Sequence, residues 1–335
     1  MKKIIFIISA VLSVFSLVAC KDKKNGANDK PVTLAMAESN PSDSISAWID
    51  QAFVEKAAEL SKGTIKIELH TGGILGDNTS VMKVMTQPNS KIHIARVSPA
   101  ALVAYGCEKH ELLDIPFTFV SREHFWNFAL SDTAQTILNE PYEKKIGIKG
   151  LFFAEEGFRH FFSTSKLNGV SDFKGHTIRS AGNSIMKEII TSLQGDPVAV
   201  SFSELYSSLQ TGIVEIAEQP IANYLSNHFN KIAPYMILDG HQLGVTEVVI
   251  SSQVWDSLSA SQQKALIEAG KYAGEYCSKV SQEAENKSRL TLKEEGVQFV
   301  EVSDKSEWQA ACADVIKGAS QTNPKLYKEI TDLAK

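Results

Sequence analysis

Between Val32 and Val97 the apolar residues change their spacing from one segment to the next. Val32 to Ala37 is a short apolar run that predicts a strand. Trp48, Phe53, Val54, Ala57 and Leu60 then recur at helical spacing, and Gly63 ends the pattern. Ile65, Ile67 and Leu69 alternate with polar residues, as a half-buried strand does. Gly72-Gly73-Ile74-Leu75-Gly76-Asp77-Asn78 turns into a helix carrying Val81, Val84 and Met85, and Ile92 to Val97 is the next strand. Strands alternating with helices predict a mostly parallel sheet covered on both faces. Ligand sites on such sheets lie beyond the carboxyl ends of the strands, so Glu38, Asn78 and Ser98 are placed on one rim.

The pattern then starts again. Leu112 to Phe119 is an apolar piece, Phe125 to Leu138 a helix, and Leu151 to Ala154 opens a second α/β unit. Val245 to Ile250 reads as a strand returning to the first unit. Crossings of this kind make two domains with a hinged cleft. The expected division is residues 31–153 with about 242–300 as one domain and 154–241 as the other. Ser259, with Gln262 three residues on, caps a helix that no proline interrupts until well past Glu295. A helix so long should span both domains. Gln298 to Val302 is a last strand. Helices around Trp308 to Ile316 and Leu326 to Leu333 follow, and residues 301–335 are expected to pack across the domains.

Composition places the chain in a compartment. Its 335 residues suit one large or two medium domains, and its formal charge is −5. A mildly acidic chain has no general affinity for nucleic acid. Met1 to Ala19 pairs a basic start, Lys2 and Lys3, with an apolar run too short to span a bilayer comfortably, which is the pattern of a signal peptide. Leu17-Val18-Ala19-Cys20 is similar to a bacterial lipobox, in which Cys20 becomes the acylated N-terminus and anchors the protein to a membrane of the cell envelope. Residues 21–30, charged and Asn-rich, read as a tether. The mature chain keeps Cys107, Cys277 and Cys312, whose spacing fits neither a zinc site nor a redox pair.

Chemistry is sparse. There is no nucleophile elbow, phosphate loop, dinucleotide fingerprint or zinc-protease helix, and the eight histidines lack ligand spacing. The chain is therefore expected to have no enzymatic activity, cofactor or metal. Arg159 follows the apolar run Leu151-Phe152-Phe153, and Arg179 ends a shorter one. An arginine at a strand end can aim its fork into the cleft and hold a carboxylate by two parallel hydrogen bonds. His241 is expected to hydrogen-bond in the core or at the cleft edge. Glu215 and Glu218 are expected at a solvated strand end or in domain packing.

Several of these stretches carry a resemblance. They are Gly157-Phe158-Arg159, Lys174-Gly175-His176-Thr177-Ile178-Arg179, Phe202-Ser203-Glu204-Leu205-Tyr206-Ser207-Ser208-Leu209-Gln210-Thr211-Gly212 and Glu218-Gln219-Pro220. With Gly72 to Asn78, Asp114-Ile115-Pro116-Phe117 and His241, they resemble the substrate-binding proteins of tripartite ATP-independent periplasmic (TRAP) transporters. The resemblance spans most of residues 31–300. It implies a periplasmic binding-protein fold, capture of a small organic acid, and delivery to one small and one large integral membrane subunit. It also implies that Arg179 holds the carboxylate, Arg159 makes a second contact or braces Arg179, and Phe202 packs on the ligand. Gln219 stands where the family usually carries Asn, Glu215-Ile216 replaces Asp-Gly, and Ser98 stands where sialate binders carry Glu. These departures argue against sialate and suggest a less polar ligand. The alternatives are a binding protein of an ATP-driven importer, a lipid-anchored hydrolase, and a lipid-anchored sensor or adaptor.

Overall fold

The computed structural model describes residues 29–182 and 184–335. The signal segment, Cys20 and most of the tether lie outside the described residues. The strands are β1 (Val32–Ala37), β2 (Ile65–His70), β3 (Ile94–Val97), β4 (Ile148–Ser163), β5 (Thr177–Ser180), β6 (Asp196–Ala199), β7 (Ile216–Pro220), β8 (Tyr235–Ser251) and β9 (Gln298–Glu301). They form one nine-stranded sheet in the order β2-β1-β3-β8-β4-β7-β5-β6, with β9 beside β8.

The sheet is mixed rather than mostly parallel. Both flanks are parallel, β1 with β2 and β3 on one side and β5 with β6 and β7 on the other. The centre is antiparallel, because β8 pairs with both β3 and β4, and β4 pairs with β7. The expected domain boundaries near residues 153 and 241 fall inside β4 and β8, which run unbroken from one flank to the other. Their register shifts between Glu155 and Phe158 and again between Arg159 and Phe161. Bulges of this kind bend a strand and re-aim its side chains. Arg159 consequently sits inside β4, not at a strand end.

The first helix, Ile45–Leu60, is capped by Ser44, whose hydroxyl accepts from the Ala47 N–H at 3.1 Å. Its buried stripe is Ile45, Ile49, Phe53 and Ala57, whereas Trp48 and Leu60 are exposed. The long helix runs from Ala260 to Glu294, 35 residues or about 50 Å. Ser259 and Gln262 close the reciprocal capping box expected of them. Leu266, Ala269 and Ala273 pack with Phe53 and Ile94 on one flank, and Leu292 packs with Phe162 and Tyr224 on the other. Close approach is possible because Gly270 lies against Phe152, where a Cβ would come within 2.7 Å of the ring. The C-terminal helices, Ser306–Ala311, Ala313–Ser320 and Pro324–Asp332, bring Trp308 and Ile330 into a cluster with Phe125, Phe173 and Ile178.

Cys107, Cys277 and Cys312 are buried and unbridged, and burial pushes their thiols up, to about 12 for Cys107 and about 11 for Cys312. Among the described residues no helix is long and apolar enough to cross a membrane.

Candidate functional site

A cleft of about 610 Å³ opens where the parallel flanks meet the antiparallel centre. Arg159, Arg179, Phe202, Gln219, Glu38, Asn78 and Ser98 all line it. Glu38 follows β1, Ser98 follows β3, and Asn78 opens the Asn78–Met85 helix, so the rim expected from strand polarity is where these three sit. Asn78 Oδ1 accepts the Ser98 N–H at 2.9 Å, which ties two pieces of that rim together. Phe202 lies in the turn before the Leu205–Gln210 helix and meets the Phe229 ring edge-on, with centroids 6.3 Å apart.

The three guanidiniums of the cleft differ in what they hold. Arg96 is committed to domain structure. Its Nε donates to Asp50 at 3.1 and 3.2 Å, its Nη1 to Thr246 Oγ1 at 2.6 Å, and Glu38 Oε2 lies 3.2 Å from Nε. Burial raises the Asp50 carboxyl and raises that of Glu38 strongly, against the pull of Arg96, whose own proton is held tighter by the two acids. Glu38 thus lines the cleft and also belongs to a buried ionic network, where Asn40 donates twice to its Oε1, at 2.6 and 2.9 Å.

Arg159 is also engaged. It makes a bidentate pair with Glu218, through Nε and through Nη2 to Oε1 at 3.0 Å. Burial works against its charge, but Glu218, Glu156 and Asp114 together outweigh burial and raise its pKa. Glu218 is itself 3 % exposed and lines the cleft, so neither the solvated strand end nor the simple packing role expected of it is what the fold gives. Glu215 is the one near solvent, bonded to Thr177 N–H at 3.1 Å and His176 at 3.0 Å. His241 is fully buried, bonded through Nδ1 to Asp239 at 2.6 Å and stacked on Phe161. Its Nε2 is 3.9 Å from Glu218 Oε2. That agrees with a core hydrogen-bonding histidine.

Arg179 is different. It is 5 % exposed, and its hydrogen bond among the described residues runs from Nε to the Val200 carbonyl at 3.1 Å. Its nearest carboxylate oxygen, on Glu218, is 3.9 Å from Nη1, beyond hydrogen-bond reach. Burial lowers its pKa to about 10, with Glu218 countering and Arg159 adding repulsion. It remains a cation at neutral pH and lines the cleft. The site is thus a cleft with one guanidinium that no carboxylate hydrogen-bonds, walled by amides and by carboxyl groups.

Residues missed from the sequence include Arg96, Asp50, Asp114, Glu156 and Asn223. Asp114 is raised to about 7 by burial, against the attraction of Arg159. Glu156 accepts the Ser46 hydroxyl at 2.5 Å. Asp114 stands in a quoted motif that gave it no role, whereas Arg96, Asp50 and Glu156 are recruited by pairings between distant segments.

A two-lobed α/β framework around a cleft with one uncommitted cation is the architecture of a solute-binding protein. The chain belongs to the bacterial extracellular solute-binding protein family 7, which it matches over residues 36–322, and it is a TRAP substrate-binding protein. It is 28 % identical over 252 residues to a solute-binding protein of Sulfitobacter sp., covering 75 % of this chain and 72 % of that one. It is 24 % identical over 265 residues to the C4-dicarboxylate-binding periplasmic protein of Rhodobacter capsulatus, covering 79 % of this chain and 78 % of the relative. Its fold superimposes with a TM-score of 0.84, at 24 % identity, on a TRAP periplasmic solute-binding protein of Pseudomonas putida F1 solved with D-glucuronate. That match covers 89 % of this chain and 96 % of the other. Membership decides for the TRAP reading over an ATP-driven importer, and the relatives named are binding proteins, not enzymes.

Proposed function

We propose that this protein captures a small organic acid by its carboxylate on Arg179 and hands it, chemically unchanged, to the small and large membrane subunits of a TRAP transporter. The observation that carries this is the contrast among the three cleft arginines: two are saturated by protein carboxylates, and Arg179 is not. A planar fork in a water-poor cleft offers two parallel charge-assisted bonds, which a carboxylate matches and a neutral solute does not. Arg159, fixed by Glu218, keeps that acid from neutralising Arg179, so it acts as a brace. Phe202, Gln219, Asn78 and Ser98 supply the remaining contacts. The solved relative with D-glucuronate and the dicarboxylate-binding relative agree with an acid as cargo.

The finer parts of the reading are a division into two domains that close on the ligand about the β4 and β8 bends, and a lipid anchor on Cys20. Native mass spectrometry of the protein as purified tests the cargo: a retained acid supports the reading, and a retained neutral or cationic solute contradicts it. Detergent partitioning tests the anchor. Wild type should enter the detergent phase and Cys20→Ser should not; both remaining aqueous would remove the lipid from the account.

A further inference from the structure

Five carboxyl groups line the cleft together with its three guanidiniums: Glu38, Asp77, Asp114, Glu156 and Glu218. That is a surplus of acid in a site read as taking an anion. Four of the five are hydrogen-bonded. Glu38 accepts from Asn40, Asp77 from the Ser80 N–H at 3.0 Å, Glu156 from the Ser46 hydroxyl, and Glu218 from Arg159. Asp114 differs. It closes the helical turn Glu108–Leu113 and is partly exposed to the cleft. Its backbone carbonyl accepts from Gln242 of β8, but its carboxyl takes part in no hydrogen bond among the described residues. Burial acts on it most strongly and disfavours its charge. Arg159 of β4 and His110 of its own turn attract that charge, whereas Glu218 of β7 and Glu111 repel it. Arg159 is already held by Glu218 through a bidentate pair, so Asp114 titrates at about 7.

We infer that Asp114 is the proton acceptor of the cleft: it takes up a proton from solvent when an organic anion settles on Arg179, and returns it when the anion leaves. This rests on the reading of Arg179 as the carboxylate anchor. Glu218 Oε1 lies 3.9 Å from Arg179 Nη1, so an anion on that guanidinium adds a like charge beside acids that already share Arg159. A bound solute also displaces water. Both changes favour the neutral form of whichever carboxyl is held least tightly. Glu218 keeps its charge through the bidentate pair, and Asp114 has nothing comparable. By linkage the effect is reciprocal: a proton on Asp114 strengthens capture of the anion by the factor by which the anion strengthens the proton. Capture is therefore favoured on the acid side of neutrality and release on the basic side.

The test is calorimetric titration between about pH 6 and about pH 8, in buffers of different ionisation heat, on wild type, Asp114→Asn and Arg179→Ala. The probe is whichever of D-glucuronate, D-galacturonate and succinate binds wild type most tightly. None of them titrates in this range. If the bound anion moves Asp114 by about one unit, wild-type affinity rises about fivefold from the basic to the acid end, with a fraction of a proton taken up near neutrality. Asp114→Asn, equal in shape but without the titrating proton, should show neither the slope nor the uptake. Ligand-free melting gives a second readout. The native state holds this proton more tightly than the unfolded chain, whose carboxyl titrates near 3.8, so wild type loses stability as pH rises through about 7. Asp114→Asn should not share that loss. A wild-type affinity independent of pH, uptake that persists in Asp114→Asn, or equal ligand-free slopes in the two proteins overturns the inference. If Arg179→Ala keeps wild-type affinity, the carboxylate reading fails and this inference with it. If Arg179→Ala loses binding while wild type takes up no proton, this inference fails alone.

Discussion

His110 offers a stability test of the electrostatics independent of any ligand. Its ring is fully buried, with Nδ1 3.1 Å from Glu140 Oε2 and Nε2 2.8 Å from Glu247 Oε2. Burial opposes the imidazolium, but the two carboxylates outweigh it and raise the pKa from 6.5 to about 9. A folded pKa above the unfolded one means that the native state holds the proton more tightly. The contribution is therefore complete below about pH 6.5 and is lost as pH rises through about 9. At 1.36 kcal/mol per unit, the shift corresponds to about 3 kcal/mol. For a chain of this size that moves the melting temperature by roughly 5 °C. The perturbation is His110→Gln, which keeps two hydrogen-bonding ends but carries no titrating charge. Melting curves at the two ends of this pH window should show the wild type losing several degrees that the variant does not lose. His110→Gln should also start less stable at the acid end, since it leaves the buried Glu247 without its ion-pair partner. Equal pH slopes in the two proteins would refute the charged triad.

Two further variants probe the framework. Gly150→Ala would place a Cβ 2.2 Å from Glu247 Oε1 and 2.6 Å from the Leu138 carbonyl, so it should cost about 1–3 kcal/mol by chemical denaturation; an unchanged midpoint would contradict the packing of β4 on β8. Arg159→Ala should lower ligand-free stability by less than about 3 kcal/mol, because the Glu218 it releases has Arg179 Nη1 3.9 Å away as a replacement partner. It should weaken ligand binding less than Arg179→Ala does, and the reverse order in calorimetry would make Arg159, not Arg179, the anchor.

Local chemistry made part of this legible. The alternation of Ile65, Ile67 and Leu69 marks β2, and the Ser259–Gln262 pair marks the start of the long helix, because both signals are read within a few residues. The central strands are another matter. Nearly every residue of β4 and β8 is buried on both faces, so no period of two survives to reveal their length. Their passage between the flanks was therefore invisible, and Arg159 was placed at a strand end. In the first helix, Trp48 and Val54 drew the stripe toward the wrong face, whereas Ile45 and Ile49 bury fully. The cleft residues were legible where strand polarity or a motif places them. Whether Arg179 is uncommitted depends on Glu218 choosing Arg159, and that choice is a matter of three-dimensional pairing.

The central claim is that the Arg179 guanidinium holds the ligand's carboxylate. Each charge-assisted hydrogen bond is worth about 1.5–3 kcal/mol, so losing two weakens binding by on the order of a hundredfold or more. Calorimetric titration of the acid recovered with the wild-type protein, on Arg179→Ala and Arg179→Lys, measures this directly. Both variants should lose at least a hundredfold, since a lysine supplies charge but not the fork, with the ligand-free melting temperature nearly unchanged. Near-wild-type affinity in Arg179→Ala would contradict the carboxylate anchor.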